Sequence, residues 1–194
     1  MSNEPTSQKE FIFLVALLTA MVAMSIDTML PAIGTIASEF GVSDPNQRQY
    51  IITSFFAGMT IGTLLYGPIS DSTGRKPAIF AGLLIFLAGS ALCLFSTSFE
   101  MMLAGRALQG FGAASPRIVS MAMVRDGQGG AAMARIMSFV MSVFMLVPIL
   151  APSIGQLVLF VASWRMIFVG FIVMAVIAAI LLELRQVETL PREK

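Results

Sequence analysis

Histidine is absent from the 194 residues, and cysteine and tryptophan each occur once. Without histidine the chain lacks the commonest general base, proton shuttle and zinc ligand, so hydrolase and metalloenzyme chemistry has little to work with. The lone Cys93 excludes an intramolecular disulfide and any cysteine-cluster metal site. Charge is scarce as well: 12% of residues are Asp, Glu, Lys or Arg and the net charge is +1. That balance offers no basic field for nucleic acid and no acidic tail for a basic partner. The opening MSNEPTSQKE carries acids and lacks the basic n-region and small-residue cleavage site of a signal peptide, so a retained first span is expected from Phe11 onward.

What the chain has in abundance is apolar residues, 57% of the total, with a mean hydropathy of +0.86. Too few polar groups remain to cover a water-exposed globule, which makes lipid the expected solvent. A membrane-spanning helix needs about 20 mostly apolar residues. Six such stretches are read at about 11–37, 50–70, 78–97, 101–123, 133–161 and 166–184. The breaks between them, GVSDPNQRQ, DSTGRKP, STSFE, RDGQGG and ASWR, are turn-like and too short for a soluble domain. The expected fold class is all-α: a single polytopic membrane helix bundle over 1–194, with 185–194 as a cytoplasmic tail or the start of a linker. Lys9, Arg75, Lys76, Arg125, Arg135, Arg185, Arg192 and Lys194 fall on one side of this topology, against Arg48 and Arg165 on the other. That asymmetry predicts both termini in the cytoplasm. Trp164, at a span junction, is read as an interfacial anchor.

Three charges fall inside the predicted spans. Asp27 lies about 16 residues into the first, roughly 24 Å along a helix, and Arg106 lies roughly 9 Å into the oppositely running fourth. In a core about 30 Å thick the two depths nearly coincide, so an Asp27–Arg106 pair is expected if those spans touch. Arg117, 11 residues beyond Arg106, returns to within roughly 20° of the same helix face, which predicts a positive stripe along one cavity, or snorkelling of Arg117 to the interface. Intramembrane charge is by default a functional-site hypothesis. Asp27 is accordingly read as a proton or cation site, against the plainer alternative of a permanent ion pair between helices.

The segment Gly67-Pro-Ile-Ser-Asp71-Ser-Thr-Gly74-Arg75-Lys76-Pro77 resembles the loop between spans two and three of the major facilitator superfamily, in spacing and in position. Gly67 is expected to allow close helix approach, Gly74 to permit the tight turn and Asp71 to face the positive end of a helix; Arg75 could pair with Asp126. In span four, Arg106-Ala-Leu-Gln109-Gly110-Phe-Gly112-Ala113-Ala114 resembles the family's R-x-x-Q-G-x-G-A-A pattern, which implies a proton-coupling role for Arg106 with Gln109 lining or bracing the same region. Small residues there also suit plain helix packing in lipid. In span five, Pro148-Ile-Leu-Ala151-Pro152-Ser-Ile-Gly155-Gln156 looks like the kinked signature of proton-coupled exporters, with Ala151 and Gln156 in place of two glycines. Asp27-Thr-Met-Leu-Pro31-Ala, Val124-Arg125-Asp126, Ser163-Trp164-Arg165 and Glu188-Thr189-Leu190-Pro191 are similar to drug and proton antiporters of the bicyclomycin-resistance type.

That resemblance implies a bacterial inner-membrane antiporter that exchanges protons for a small hydrophobic molecule by alternating access, with Asp27 and Arg106 coupling the proton and Gln109, Arg117 and Pro31 at the cavity. The energy source would be the proton gradient, with no cofactor or metal. Family members have twelve spans in two halves, so a second six-span half, either a carboxy-terminal half or another copy, is the expected partner. A proton-coupled nutrient symporter or facilitator, and a non-transporting half, are the alternative readings.

Overall fold

The computed structural model describes residues 8–127 and 130–185, and every regular element among them is helical. In chain order these are α1 (Gln8–Asp27), a 3-10 turn (Leu30–Ala32), α2 (Ile33–Glu39), α3 (Pro45–Arg48), α4 (Tyr50–Thr73), α5 (Arg75–Leu94), α6 (Phe99–Gly127), α7 (Gly130–Val161) and α8 (Arg165–Arg185). Arg192, Lys194, the Glu188–Pro191 motif and the predicted tail from 186 lie outside the described residues.

The helix α6 occupies the middle. It packs most closely on α4 and α5 and is also touched by α1, while α7 joins the bundle through α1 and α8 through α5 and α1. The α4 and α6 backbones meet directly: a Cβ added at Gly58 would stand 1.8 Å from the Ala107 carbonyl oxygen, and one at Gly110 would stand 2.0 Å from that of Phe55. Small residues bring membrane helices together in this way because lipid tails supply no hydrophobic drive for association.

Five segments are long and apolar enough to cross a membrane: Glu10–Glu39, Pro45–Thr73, Arg75–Leu94, Met133–Val161 and Arg165–Leu184. The fourth predicted span, 101–123, belongs to α6 and does not reach that apolar standard, because it carries Arg106, Gln109, Arg117, Ser115, Ser120 and many small residues. A helix wrapped by its neighbours need not present an apolar exterior to lipid, so its composition answers to the bundle instead.

The first span departs from its expected continuity. α1 ends at Asp27, a 3-10 turn follows, and α2 resumes at Ile33. Pro31 accounts for the break: it has no N–H to donate to the carbonyl of Asp27, four residues earlier, and its ring crowds that carbonyl. By contrast, α7 runs through Pro148 and Pro152 as one helix of 32 residues.

Candidate functional site

Arg106 is wholly buried. Its Nη2 donates to the Ser25 carbonyl of α1 at 3.1 Å, its Nε to the Ile51 carbonyl of α4 at 3.2 Å, and its Nη1 to Gln109 Oε1 one turn along α6. The guanidinium carbon also lies 4.5 Å from the centroid of the Phe55 ring. Gln109, equally buried, passes the network on by donating from Nε2 to Ser90 Oγ of α5 at 2.8 Å. One cation thus ties α1, α4, α5 and α6 together. The enclosure is tolerable because carbonyl oxygens and a π face replace the water that an isolated buried charge would lose.

The expected Asp27–Arg106 ion pair is therefore not formed. Arg106 takes the backbone two residues upstream, at Ser25, and Asp27 makes no side-chain hydrogen bond or ion pair among the described residues. Depth was right, but the facing was decided by the helix ending at Asp27. A carboxylate there sits at the negative end of the α1 dipole, and the buried Thr28 hydroxyl beside it has no partner among the described residues. Gly155 of α7 presses on the same break: a Cβ there would stand 2.2 Å from the Thr28 carbonyl oxygen and 3.0 Å from Pro31 Cγ. Pro31 and Gly155, expected in separate roles, come together at one point. Pro148 is exposed, away from that contact.

Of the two roles read for Gln109, bracing is the one formed, whereas Arg117 leaves the expected stripe. Gln109 braces Arg106 and lines no open surface. Arg117 is exposed, with its guanidinium carbon 5.8 Å from the Phe144 ring centroid, so the two arginines do not form one stripe. Helical periodicity returns them to a similar face, yet α1 covers that face at Arg106, whereas α7 packs chiefly on α1 and touches α6 little.

At the end of the bundle where α4 turns into α5, Arg75 is nearly buried. Its Nε meets Asp126 Oδ2 at 2.8 Å and its Nη1 meets Asp71 Oδ1 at 2.5 Å, so Asp71 answers the first side chain of α5 instead of a bare helix end. Gly74 makes the turn with φ +102°, a conformation side chains disfavour. Lys76 reaches Glu183 of α8 at 3.1 Å. Gly67 plays no packing role here, since a Cβ at that position would meet nothing within 4 Å.

At the opposite end, Trp164 is buried, which overturns its reading as an interfacial anchor. Its Nε1 donates to Glu39 Oε2 at 2.6 Å, and Arg165 Nη1 meets Glu39 Oε1 at 2.5 Å. Sequence reasoning passed over Glu39, Ser25 and Ser90. A solitary acid at the end of an apolar span, opposite a solitary arginine, was the available signal for Glu39. Ser90 was visible as a hydroxyl in an otherwise apolar stretch, and Ser25 contributes only a carbonyl, which leaves no trace in a sequence.

A family profile described as the Major Facilitator Superfamily matches residues 14–194. A bicyclomycin resistance protein homolog from Haemophilus influenzae is 34% identical, over 92% of this chain and 45% of its own. The multidrug resistance protein MdtL of Salmonella typhimurium is 31% identical, over 95% of this chain and 48% of its own. Among solved structures, a D-xylose-proton symporter superposes with a TM-score of 0.80 at 14% identity, over 93% of this chain and 48% of that one. The chain thus spans about half the length of the curated relatives it matches.

Proposed function

Because this chain belongs to the major facilitator superfamily over residues 14–194, we propose that it forms the amino-terminal half of a proton-coupled exporter of small hydrophobic molecules. It would sit in a bacterial inner membrane with both termini cytoplasmic. The observation that carries this reading is the unpartnered carboxylate of Asp27 at a break in the first span. An ionised carboxylate without a partner inside the membrane costs at least about 2 kcal/mol, a cost that a proton or a bound substrate relieves. Proton and substrate would then compete for Asp27 directly, while Arg106 stays fixed. Resistance to bicyclomycin and to multiple drugs, in the names of two relatives, supports export of antibiotic-like molecules.

The opposite wall of the pathway would come from a second six-span half. Its docking faces would be those of α4 and α7, whose large apolar side chains are widely exposed, among them Leu64, Met145, Ile149 and Phe160. Alternating access would rock the two halves about Asp27.

The test is pH-gradient-driven efflux of a fluorescent cationic dye and of a neutral antibiotic from liposomes, with the chain alone and together with a carboxy-terminal half. Gradient-dependent efflux that disappears with Asp27→Asn is the expected result; undiminished efflux from Asp27→Asn sinks the assignment. Efflux appearing only with the second half would show that this chain supplies one wall.

A further inference from the structure

Arg117 is a charge that proton coupling at Asp27 leaves unused. Its guanidinium carbon lies 5.8 Å from the Phe144 ring centroid, and Phe144 stands near the middle of the membrane-crossing segment Met133–Val161. A side chain that had snorkelled to the cytoplasmic end would lie level with the start of α7 instead, so this cation stays deep in the bilayer. It is nevertheless exposed, and among the described residues it has no hydrogen bond or ion pair. Acids are out of reach. α7 carries none, Glu10 belongs to the first turn of α1, and Asp126, nine residues further along α6, is held by Arg75. Asp27 adjoins Thr28, which meets Gly155, eleven residues and roughly 16 Å along α7 from Phe144.

An unpaired guanidinium at that depth is too costly to face lipid, so it marks a face that holds water or a ligand. Met141, Met145 and Pro148 stand at helical spacing around Phe144 on the same face of α7, and all three are exposed. The unbranched thioether of methionine adapts to apolar bodies of different shapes, and the forked N–H donors of arginine match a carboxylate. We propose that Arg117 is a substrate-recognition residue: it binds the carboxylate of amphiphilic molecules whose apolar body lies along Met141, Met145 and Pro148. That these molecules are cargo rests on the exporter reading; their binding does not, because Arg117 acts roughly 16 Å from the break beside Asp27.

Equilibrium dialysis of the purified chain in detergent, against dansyl-labelled undecanoic acid and its methyl ester at neutral pH, tests the site. The acid should bind about tenfold more tightly than the ester, the worth of one charge-assisted hydrogen bond. Arg117→Gln should bring the two within about twofold while leaving the ester's own affinity intact, which also shows that the variant is folded. Arg117→Lys, which keeps the charge without the fork, should retain part of the preference. Arg125→Gln and Arg135→Gln, also exposed but nearer the ends of their helices, should retain all of it. Equal binding of acid and ester by the parent overturns the proposal, as does a preference that survives Arg117→Gln or falls equally in all three glutamine variants. A preference that vanishes when a carboxy-terminal half is added would assign Arg117 to an acid of that half and overturn it too. Dialysis involves no proton gradient, so failure of the exporter reading and failure of this site are separately visible.

Discussion

Arg106 and Asp27 were expected to be partners, and the structure makes them opposites. Arg106 is enclosed by α1, α4, α5 and α6, with its nitrogens on carbonyl and amide oxygens and its plane against Phe55. Asp27 sits half-buried where a helix ends, with no side-chain partner among the described residues. In lipid, a cation can be satisfied by backbone carbonyls that already serve their helices, since each carbonyl has a second lone pair. A carboxylate has only donors to look for, and none among the described residues reaches Asp27. One charge is therefore a fixture and the other is available.

Mutation should divide the two sharply. The largest effect is expected from Arg106→Met, which leaves the buried Gln109 amide without its partner and unties four helices. It should cost about 3 kcal/mol in thermal unfolding in detergent, and a variant as stable as the parent would mean that the network is ornamental. Gly58→Val comes next, because its side chain must enter the space of the Ala107 carbonyl. Overpacking of that kind costs about 2 kcal/mol, and the same melt should show it. Asp126→Asn removes one of the carboxylates on nearly buried Arg75 and should cost about 1 kcal/mol, with the loss growing in the Asp71→Asn background, where Arg75 keeps neither carboxylate. Asp27→Asn should cost no stability, and should raise it by up to about 2 kcal/mol where the carboxylate is ionised, because it removes the unpartnered charge, while abolishing gradient-driven export. A melt lowered as far as that of Arg106→Met would erase the distinction between fixture and free site.

Much of the fold was legible because its physics is local. Gly74 and Pro77 of the DSTGRKP break placed the α4–α5 turn, and the predicted Arg75–Asp126 contact is present at 2.8 Å, since both residues lie at helix ends at the same end of the bundle. The break at Asp27 was equally local, with Pro31 four residues on, yet the apolar run through Ala37 masked it. Legibility failed where a helix face had to be assigned to a neighbour. Arg117 and Arg106 differ because α1 covers one and not the other, and Trp164 is buried because Glu39, 125 positions away in the chain, reaches it. The span that fell short of apolarity, α6, was the one most surrounded.

The sequence by itself determined that the chain lives in lipid, that it is helical, which family it belongs to and which charges are out of place in a membrane. Composition, period and motif spacing are properties of the chain alone. Only the tertiary structure decided which of those charges is held and which is left open, because that depends on which carbonyl of a neighbouring helix lies within about 3 Å of a donor. A hydrogen bond to the backbone leaves no mark on the residue that accepts it.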